Sequence, residues 1–208
     1  MTTPTYTYSI IEDDPYWQNK IAELLTPANT WIRMFSYPSF EAFVQSGEDR
    51  LDIHFLLLDS RLPGLSGECC VRLFRKLLPD YTKIVMVSAY DDMATLSAAL
   101  RQGADGYVVK SDLSTGLGEQ LLSIRESGAL LSPDAARQVI QKLQVDSTPY
   151  MENGLLSPKE WQMLHRLAQG DTYEQAAENL RMPLNTFRYY IKKLFKTLKV
   201  DTSTAAVS

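Results

Sequence analysis

The chain is poor in the residues that staple or clasp small proteins. Its 208 residues include only two cysteines and two histidines. Cys69 and Cys70 are adjacent on an expected helix, a poor geometry for a disulfide, and no second pair completes the spacing of a zinc site. They are read as core or surface thiols. His54 and His165 lie far apart with no cluster of potential ligands around them, and both are read as structural. No apolar run approaches the ~20 residues that a membrane span needs. Met1-Thr2-Thr3-Pro4 lacks the basic and apolar regions of a secretory signal, so a cytoplasmic protein is expected. Internal repeats and low-complexity tracts are also lacking.

What the chain does have is material for two cores. Its length exceeds one typical domain, and 45% of its residues are hydrophobic. The net charge of -4 hides an asymmetry: residues 1–126 carry 11 Lys+Arg against 17 Asp+Glu, whereas residues 150–208 carry 8 against 6. An acidic first unit joined to a mildly basic second one points to different partners for each.

Through the first 126 residues, apolar runs alternate with amphipathic stretches. Strands are expected at Tyr6 to Ile11, Trp31 to Tyr37, His54 to Leu58, Lys83 to Val87 and Gly106 to Val109. Helical patterns fall near Tyr16 to Leu25, Phe40 to Gln45, Cys69 to Leu78, Met93 to Gln102 and Leu117 to Arg125. This alternation predicts an α/β fold, a five-stranded doubly wound parallel sheet built with right-handed crossovers. A connecting helix follows Ser132-Pro133-Asp134, and a linker is expected within residues 145–155. Residues 155–208 read as an all-α unit of four helices. The first opens on Ser157-Pro158-Lys159-Glu160 and the second on Thr172 to Gln175, both with capping-box spacing. The third runs from near Pro183 to Leu198, and a short fourth follows Thr202.

The chemistry gathers at strand ends. Asp59 ends the run Phe55-Leu56-Leu57-Leu58 and precedes the turn formers Leu62-Pro63-Gly64, so it belongs at the carboxyl edge of the sheet, where open α/β folds bind ligands. Glu12-Asp13-Asp14, Ser88 and Lys110 end three other strands. Taken alone, each has a bland reading as a cap, a turn or a solvated charge, and Asp14 beside Pro15 suits a helix cap. Together they make a phosphoryl-accepting site. An aspartate can act as a nucleophile if the donor's charge is neutralised. Glu12, Asp13 and Asp59, with the backbone carbonyl of Arg61, offer the hard oxygen ligands that Mg2+ prefers. Lys110 and Ser88 can hold phosphate oxygens.

These residues resemble the receiver domain of two-component response regulators, with Glu12-Asp13 as the acidic pair, Asp59 as phosphoacceptor, Ser88 as switch hydroxyl and Lys110 as the lysine of the pattern. Gly103-Ala104-Asp105-Gly106-Tyr107-Val108-Val109-Lys110 is similar to the block around that lysine. The resemblance implies that Tyr107 is a rotating aromatic switch. Two positions depart from the pattern: Glu12 replaces the usual aspartate, and Ser111 replaces the proline that typically follows the lysine, which leaves either isomer of the Lys110-Ser111 peptide open.

On the third helix of the second unit, Phe187, Tyr190, Ile191, Leu194 and Leu198 form an apolar stripe, while Arg188, Lys192 and Lys196 form a cationic row flanked by Tyr189, Lys193 and Lys199. Such a helix fits the major groove of double-stranded DNA. Leu156-Ser157-Pro158-Lys159-Glu160, Gly170, Ala177, Leu180, Thr186-Phe187-Arg188 and Leu198-Lys199-Val200 resemble the LuxR-type helix-turn-helix signature. The whole chain thus resembles the NarL/FixJ class: receiver 1–126, connecting helix and linker 127–154, and DNA-binding unit 155–208. The resemblance implies that Arg188, Tyr189 and Lys192 approach bases, with Thr186 and Lys193 nearer the backbone. Arg181 stands at the usual turn glycine, Pro183 at a usual capping Ser or Thr, and Tyr173-Glu174-Gln175-Ala176 where a polar and basic run is typical.

The expected function is a DNA-binding transcriptional regulator, phosphorylated by a sensor histidine kinase and dimeric on DNA. It is not expected to be an enzyme in the usual sense. Two alternatives compete with this. One is a phosphorylation-independent LuxR-type factor whose receiver serves only dimerisation. The other is a dehalogenase-like phosphotransferase, which needs a second aspartate where this chain has Arg61.

Overall fold

The structure is a computed structural model that describes residues 5–26, 30–47, 52–89, 93–114, 116–145 and 156–200. Each apolar run of the first unit is a parallel strand: β1 (Tyr6–Ile11), β2 (Trp31–Tyr37), β3 (Phe55–Asp59), β4 (Lys83–Ser88) and β5 (Gly106–Val109). The intervening helices are α1 (Pro15–Leu25), α2 (Phe40–Gln45), α3 (Gly67–Leu77) and α4 (Met93–Gln102), and α5 (Leu117–Ser127) follows β5. Strand β3 is buried along its whole length, as a central parallel strand covered by helices on both faces must be. Its alternation sorts the core into two layers. Leu56 and Leu58 face Val71 and Phe74 of α3 with Leu96 and Leu100 of α4, whereas Phe55 and Leu57 face Ile21 and Leu25 of α1 with Leu121 and Ile124 of α5.

The sheet has one strand more than the five expected from the sequence. Beyond Gly128, which closes α5 in the left-handed conformation, β6 (Leu130–Leu131) adds to β5 in parallel, and the order is β2-β1-β3-β4-β5-β6. Two residues are too short to show a period. They are held instead by backbone bonds, Leu130 N–H to the Asp105 carbonyl at 3.0 Å and Ser132 N–H to the Tyr107 carbonyl at 3.1 Å. The segment expected as a connector therefore begins inside the sheet. It continues as α6 (Pro133–Val145).

The helical unit contributes α7 (Pro158–Ala168), α8 (Tyr173–Asn179) and α9 (Leu184–Val200). Both capping boxes form. Ser157 N–H donates to Glu160 Oε2 at 2.7 Å, and Thr172 N–H donates to Gln175 Oε1 at 2.9 Å, each reciprocated by the backbone N–H three residues on. The fourth helix, expected after Thr202, and nearly all of the expected linker lie outside the described residues. The turn between α8 and α9 is left-handed at Arg181, with φ 51°, although a glycine would adopt it without strain. Pro183 lacks a capping side chain, but its carbonyl accepts from the N–H groups of Thr186 and Phe187 at 2.9 and 3.0 Å.

The helical unit packs on the sheet unit. Helix α6 lies against α4 and α7, and α9 lies against α4 and α5. One apolar cluster runs from the α3/α4 face of the sheet through Leu131, Ala135 and Val139 to Met163, Phe187 and Ile191. At the seam, Tyr173 is buried, its hydroxyl donates to the Ala129 carbonyl at 3.1 Å, and its ring stands 5.4 Å from that of Phe187. Burial pushes the Tyr173 hydroxyl pKa up, so it stays a proton donor.

Candidate functional site

Strand register assembles the first site. Ile11 pairs with Leu58, so the next residues, Glu12 and Asp59, emerge side by side. They do so between β1 and β3, where the strand order reverses and open α/β sheets leave a crevice. Asp59 pairs with Val87 and Ser88 with Val109, which places Ser88 one step and Lys110 two steps further out along the same rim.

Carboxylate oxygens of Glu12, Asp13 and Asp59 lie within 4.8 Å of one another, with Glu12 and Asp59 buried and Asp13 exposed. The buried ammonium of Lys110 enters this group, 2.6 Å from Glu12 Oε2 and 3.4 Å from Asp59 Oδ1. Burial pushes the pKa of both Glu12 and Asp59 up. The lysine pulls each back, and the N–H groups of Ser60 and Arg61 do the same for Asp59. Three carboxylates against one ammonium suit a hard divalent cation such as Mg2+.

The neighbouring residues fall as follows. Arg61 is exposed, and its N–H is what reaches Asp59. Ser88 is fully buried and shares a 2.8 Å hydrogen bond with the Ser60 hydroxyl. Tyr107 is also fully buried. Asp14 adopts its bland role, capping α1 by accepting from Tyr16 N–H at 2.8 Å. Among the described residues no peptide bond is cis, so Lys110-Ser111 is trans.

Sequence reading missed three contributors. Ser60 meets Ser88. Gly67 opens α3 so close to β3 that a Cβ would overlap the Asp59 carbonyl. Trp17 brings its ring centroid 4.9 Å from the Lys110 ammonium. Only the glycine carried a signal, lying just before a helical pattern; the other two depend on how the chain folds back.

The residue after Lys110 is also tied down. Ser111 Oγ donates to Asp134 Oδ2 at 2.6 Å, and Asp134 N–H donates to Asp112 Oδ2 at 2.8 Å, both at the start of α6. Asp134 in turn pairs with Arg137, whose guanidinium donates to the Ala168 carbonyl at the end of α7.

On α9 the described side chains divide into two faces, while the side chains of Leu198 and Lys199 lie outside the described residues. Phe187, Ile191 and Leu194 are buried, joined by Phe195, while Tyr190 is half-buried. Thr186, Tyr189, Lys192, Lys193 and Lys196 are exposed. Arg188 is half-buried and 3.4 Å from Glu174 Oε1 on α8. Lys193 reaches Glu160 Oε1 at 3.3 Å. Burial would raise the Glu160 pKa, but hydrogen bonds from the Ser157 hydroxyl and N–H, together with Lys193, outweigh it and hold the carboxyl below its usual range. Lys192 lays its aliphatic stem by Gly128 at the end of α5, so part of the cationic face abuts the sheet unit. His54 packs beside Thr7, and His165 lies against Trp161 with rings 5.0 Å apart.

Comparison with known proteins finds a match for each unit. Residues 9–117 match the response regulator receiver domain, and residues 154–208 match the bacterial regulatory proteins of the luxR family. The nitrate/nitrite response regulator protein NarP of Escherichia coli is 27% identical, over 95% of this chain and 90% of its own length. NarL of the same organism is 25% identical, over 96% and 92%. Among solved structures, the RcsB response regulator of Salmonella typhimurium shares the fold with a TM-score of 0.61 at 21% identity, covering 98% of this chain and all of that one. No helix among the described residues is long and apolar enough to cross a membrane.

Proposed function

Because the chain belongs to the response regulators of the NarL/FixJ class, DNA-binding transcription regulators that join a receiver to a LuxR-type unit, we propose that Asp59 accepts a phosphoryl group from a sensor histidine kinase and thereby controls α9. The carboxylate oxygen of Asp59 forms the new O–P bond as the P–N bond of the donor phosphohistidine breaks, and the departing imidazole keeps that electron pair. Mg2+ would be held by Glu12, Asp13, Asp59 and the Arg61 carbonyl, and when bound it supplies charge neutralisation for the phosphoryl oxygens. Lys110 holds one phosphoryl oxygen, moving off Glu12 to do so, and Ser88 leaves Ser60 to bind another. Tyr107 packs behind the moved serine. The added charge of about -1.5 to -2 is what Lys110 must contain.

The bonded path from Lys110 through Ser111, Asp134 and Arg137 to the end of α7 supports a mechanical link to the second unit. Lys110 displacement pulls Ser111 and α6, loosens the seam at Tyr173 and frees α9 from α4 and α5. Thr186, Arg188, Tyr189, Lys192, Lys193 and Lys196 then meet the duplex, with Arg188 leaving Glu174 for base edges and the lysines reaching phosphates. One short helix reads few bases, so a homodimer on two half-sites is expected. RcsB dimers bound to DNA provide a structural precedent in a protein of the same fold.

The observation that carries this reading is the convergence of three carboxylates within 4.8 Å with the Lys110 ammonium among them. Acetyl phosphate with magnesium tests it by intact mass. One phosphoryl group on the wild type and none on Asp59→Asn is the expected result. An unlabelled wild type, or equal labelling of the variant, would refute it.

A further inference from the structure

Trp17 occupies a demanding place beside the acidic site. Its indole lies on the buried Lys110 ammonium, with 4.9 Å from Nζ to the ring centroid, within the range of a cation–π contact. The helical turn that carries the ring is tied down by several hydrogen bonds. Asp14 caps the first turn of α1, the N–H groups of Trp17 and Gln18 both donate to the Asp14 carbonyl at 3.1 and 3.2 Å, and the Gln18 side chain donates to the Glu12 carbonyl at 2.6 Å. The last bond ties the ring's own helical turn to the strand end that carries the acidic pair. Tyr16 braces the outer side, its ring edge-on to Trp17 at 5.1 Å.

Lys110 is therefore held between two carboxylates and an aromatic face. A flexible four-carbon stem would otherwise let this ammonium swing towards water, where it is strongly hydrated. The aromatic face attracts a cation without competing for its N–H groups as a carboxylate would, so those donors stay available for a phosphoryl oxygen.

We propose that Trp17 is a positioning residue for phosphoryl transfer, keeping the Lys110 ammonium inside the Asp59 site through a cation–π contact. This deepens the phosphoacceptor reading and rests on it. A plain packing role for Trp17 predicts that any large apolar side chain will serve. A positioning role predicts that only an aromatic one will.

The test compares Trp17→Phe and Trp17→Leu in the full chain for their rate of labelling by acetyl phosphate with magnesium, with urea midpoints as a control for folding. Trp17→Phe keeps a ring face and is expected to label within about threefold of wild type. Trp17→Leu keeps bulk without the ring and is expected to label about tenfold more slowly, at a urea midpoint close to that of the phenylalanine variant. A spectroscopic readout accompanies this. The chain has three tryptophans, so the difference between wild type and Trp17→Phe isolates Trp17 emission, which should change when Lys110→Met is introduced into the unphosphorylated protein. Equal labelling of the leucine and phenylalanine variants, or Trp17 emission indifferent to Lys110→Met, would overturn the inference while leaving the phosphoacceptor reading intact. A wild type that takes no label would overturn both.

Discussion

Lys110→Met isolates the electrostatics of the receiver site. The substitution keeps the aliphatic stem and removes the one cation that, among the described residues, pairs with both buried carboxylates, leaving Glu12 and Asp59 side by side. Breaking a buried pair by deleting one partner costs about 3 to 5 kcal/mol, because the remaining charge stays desolvated. The pKa values of both carboxyls are already raised by burial, and losing the lysine raises them further. In a group of this kind the folded state binds the proton more tightly than the unfolded chain. The penalty is therefore full above the raised folded values and shrinks as pH falls towards the ordinary carboxylate range near ~4. At neutral pH without divalent ions, the melting temperature should fall by roughly 10 °C relative to wild type, given about 2 to 4 °C per kcal/mol for a chain of this size. Magnesium should restore more stability to the variant than to wild type, since the ion need not compete with an ammonium. Thermal scans at two pH values, with and without magnesium, read all three effects. Unchanged or increased stability at neutral pH without magnesium would refute the argument, because it would mean that the carboxylates do not depend on Lys110.

Other predictions follow from single contacts. Arg181→Gly removes a left-handed arginine and should stabilise the helical unit by up to ~1 kcal/mol in urea titration, the strain relieved being partly offset by the greater freedom of the unfolded glycine. Glu160→Gln should destabilise by about 1 kcal/mol at neutral pH through its cap and Lys193 contacts; since the folded carboxyl pKa is lowered, the wild-type advantage is present above the ordinary glutamate value near ~4.3 and disappears as pH falls through the folded one. Asp134→Ala cuts the link between Ser111 and α6, so phosphorylation should still occur but should raise DNA affinity several-fold less than in wild type, as read by fluorescence anisotropy.

The sequence exposed those features that depend on period and punctuation. Strand ends at Asp59, Ser88 and Lys110 could be placed because buried parallel strands read as unbroken apolar runs. Both capping boxes were legible because Ser157/Glu160 and Thr172/Gln175 keep fixed spacing. Leu130–Leu131 escaped notice because a two-residue strand has no period and is held by its neighbours' backbones. Phe195 joined the core of α9 because the docked surface is wider than a simple three-four stripe. The docking itself was illegible: periodicity says that a face is apolar but not which face it meets, so Tyr173 on Ala129 and Lys192 beside Gly128 emerge only in three dimensions. Arg181 is the reverse case. A non-glycine residue stands at a turn glycine, and yet the turn is left-handed, closed by the N–H groups of Arg181 and Met182 on the Glu178 and Ala177 carbonyls at 2.9 and 3.0 Å.

If the state of Asp59 governs access to α9, the affinity of the full chain for selected DNA, measured with and without beryllofluoride and magnesium, rises for the treated wild type and does not respond in Asp59→Asn. Equal affinity of the wild type in both conditions, or the same gain in Asp59→Asn, would contradict it.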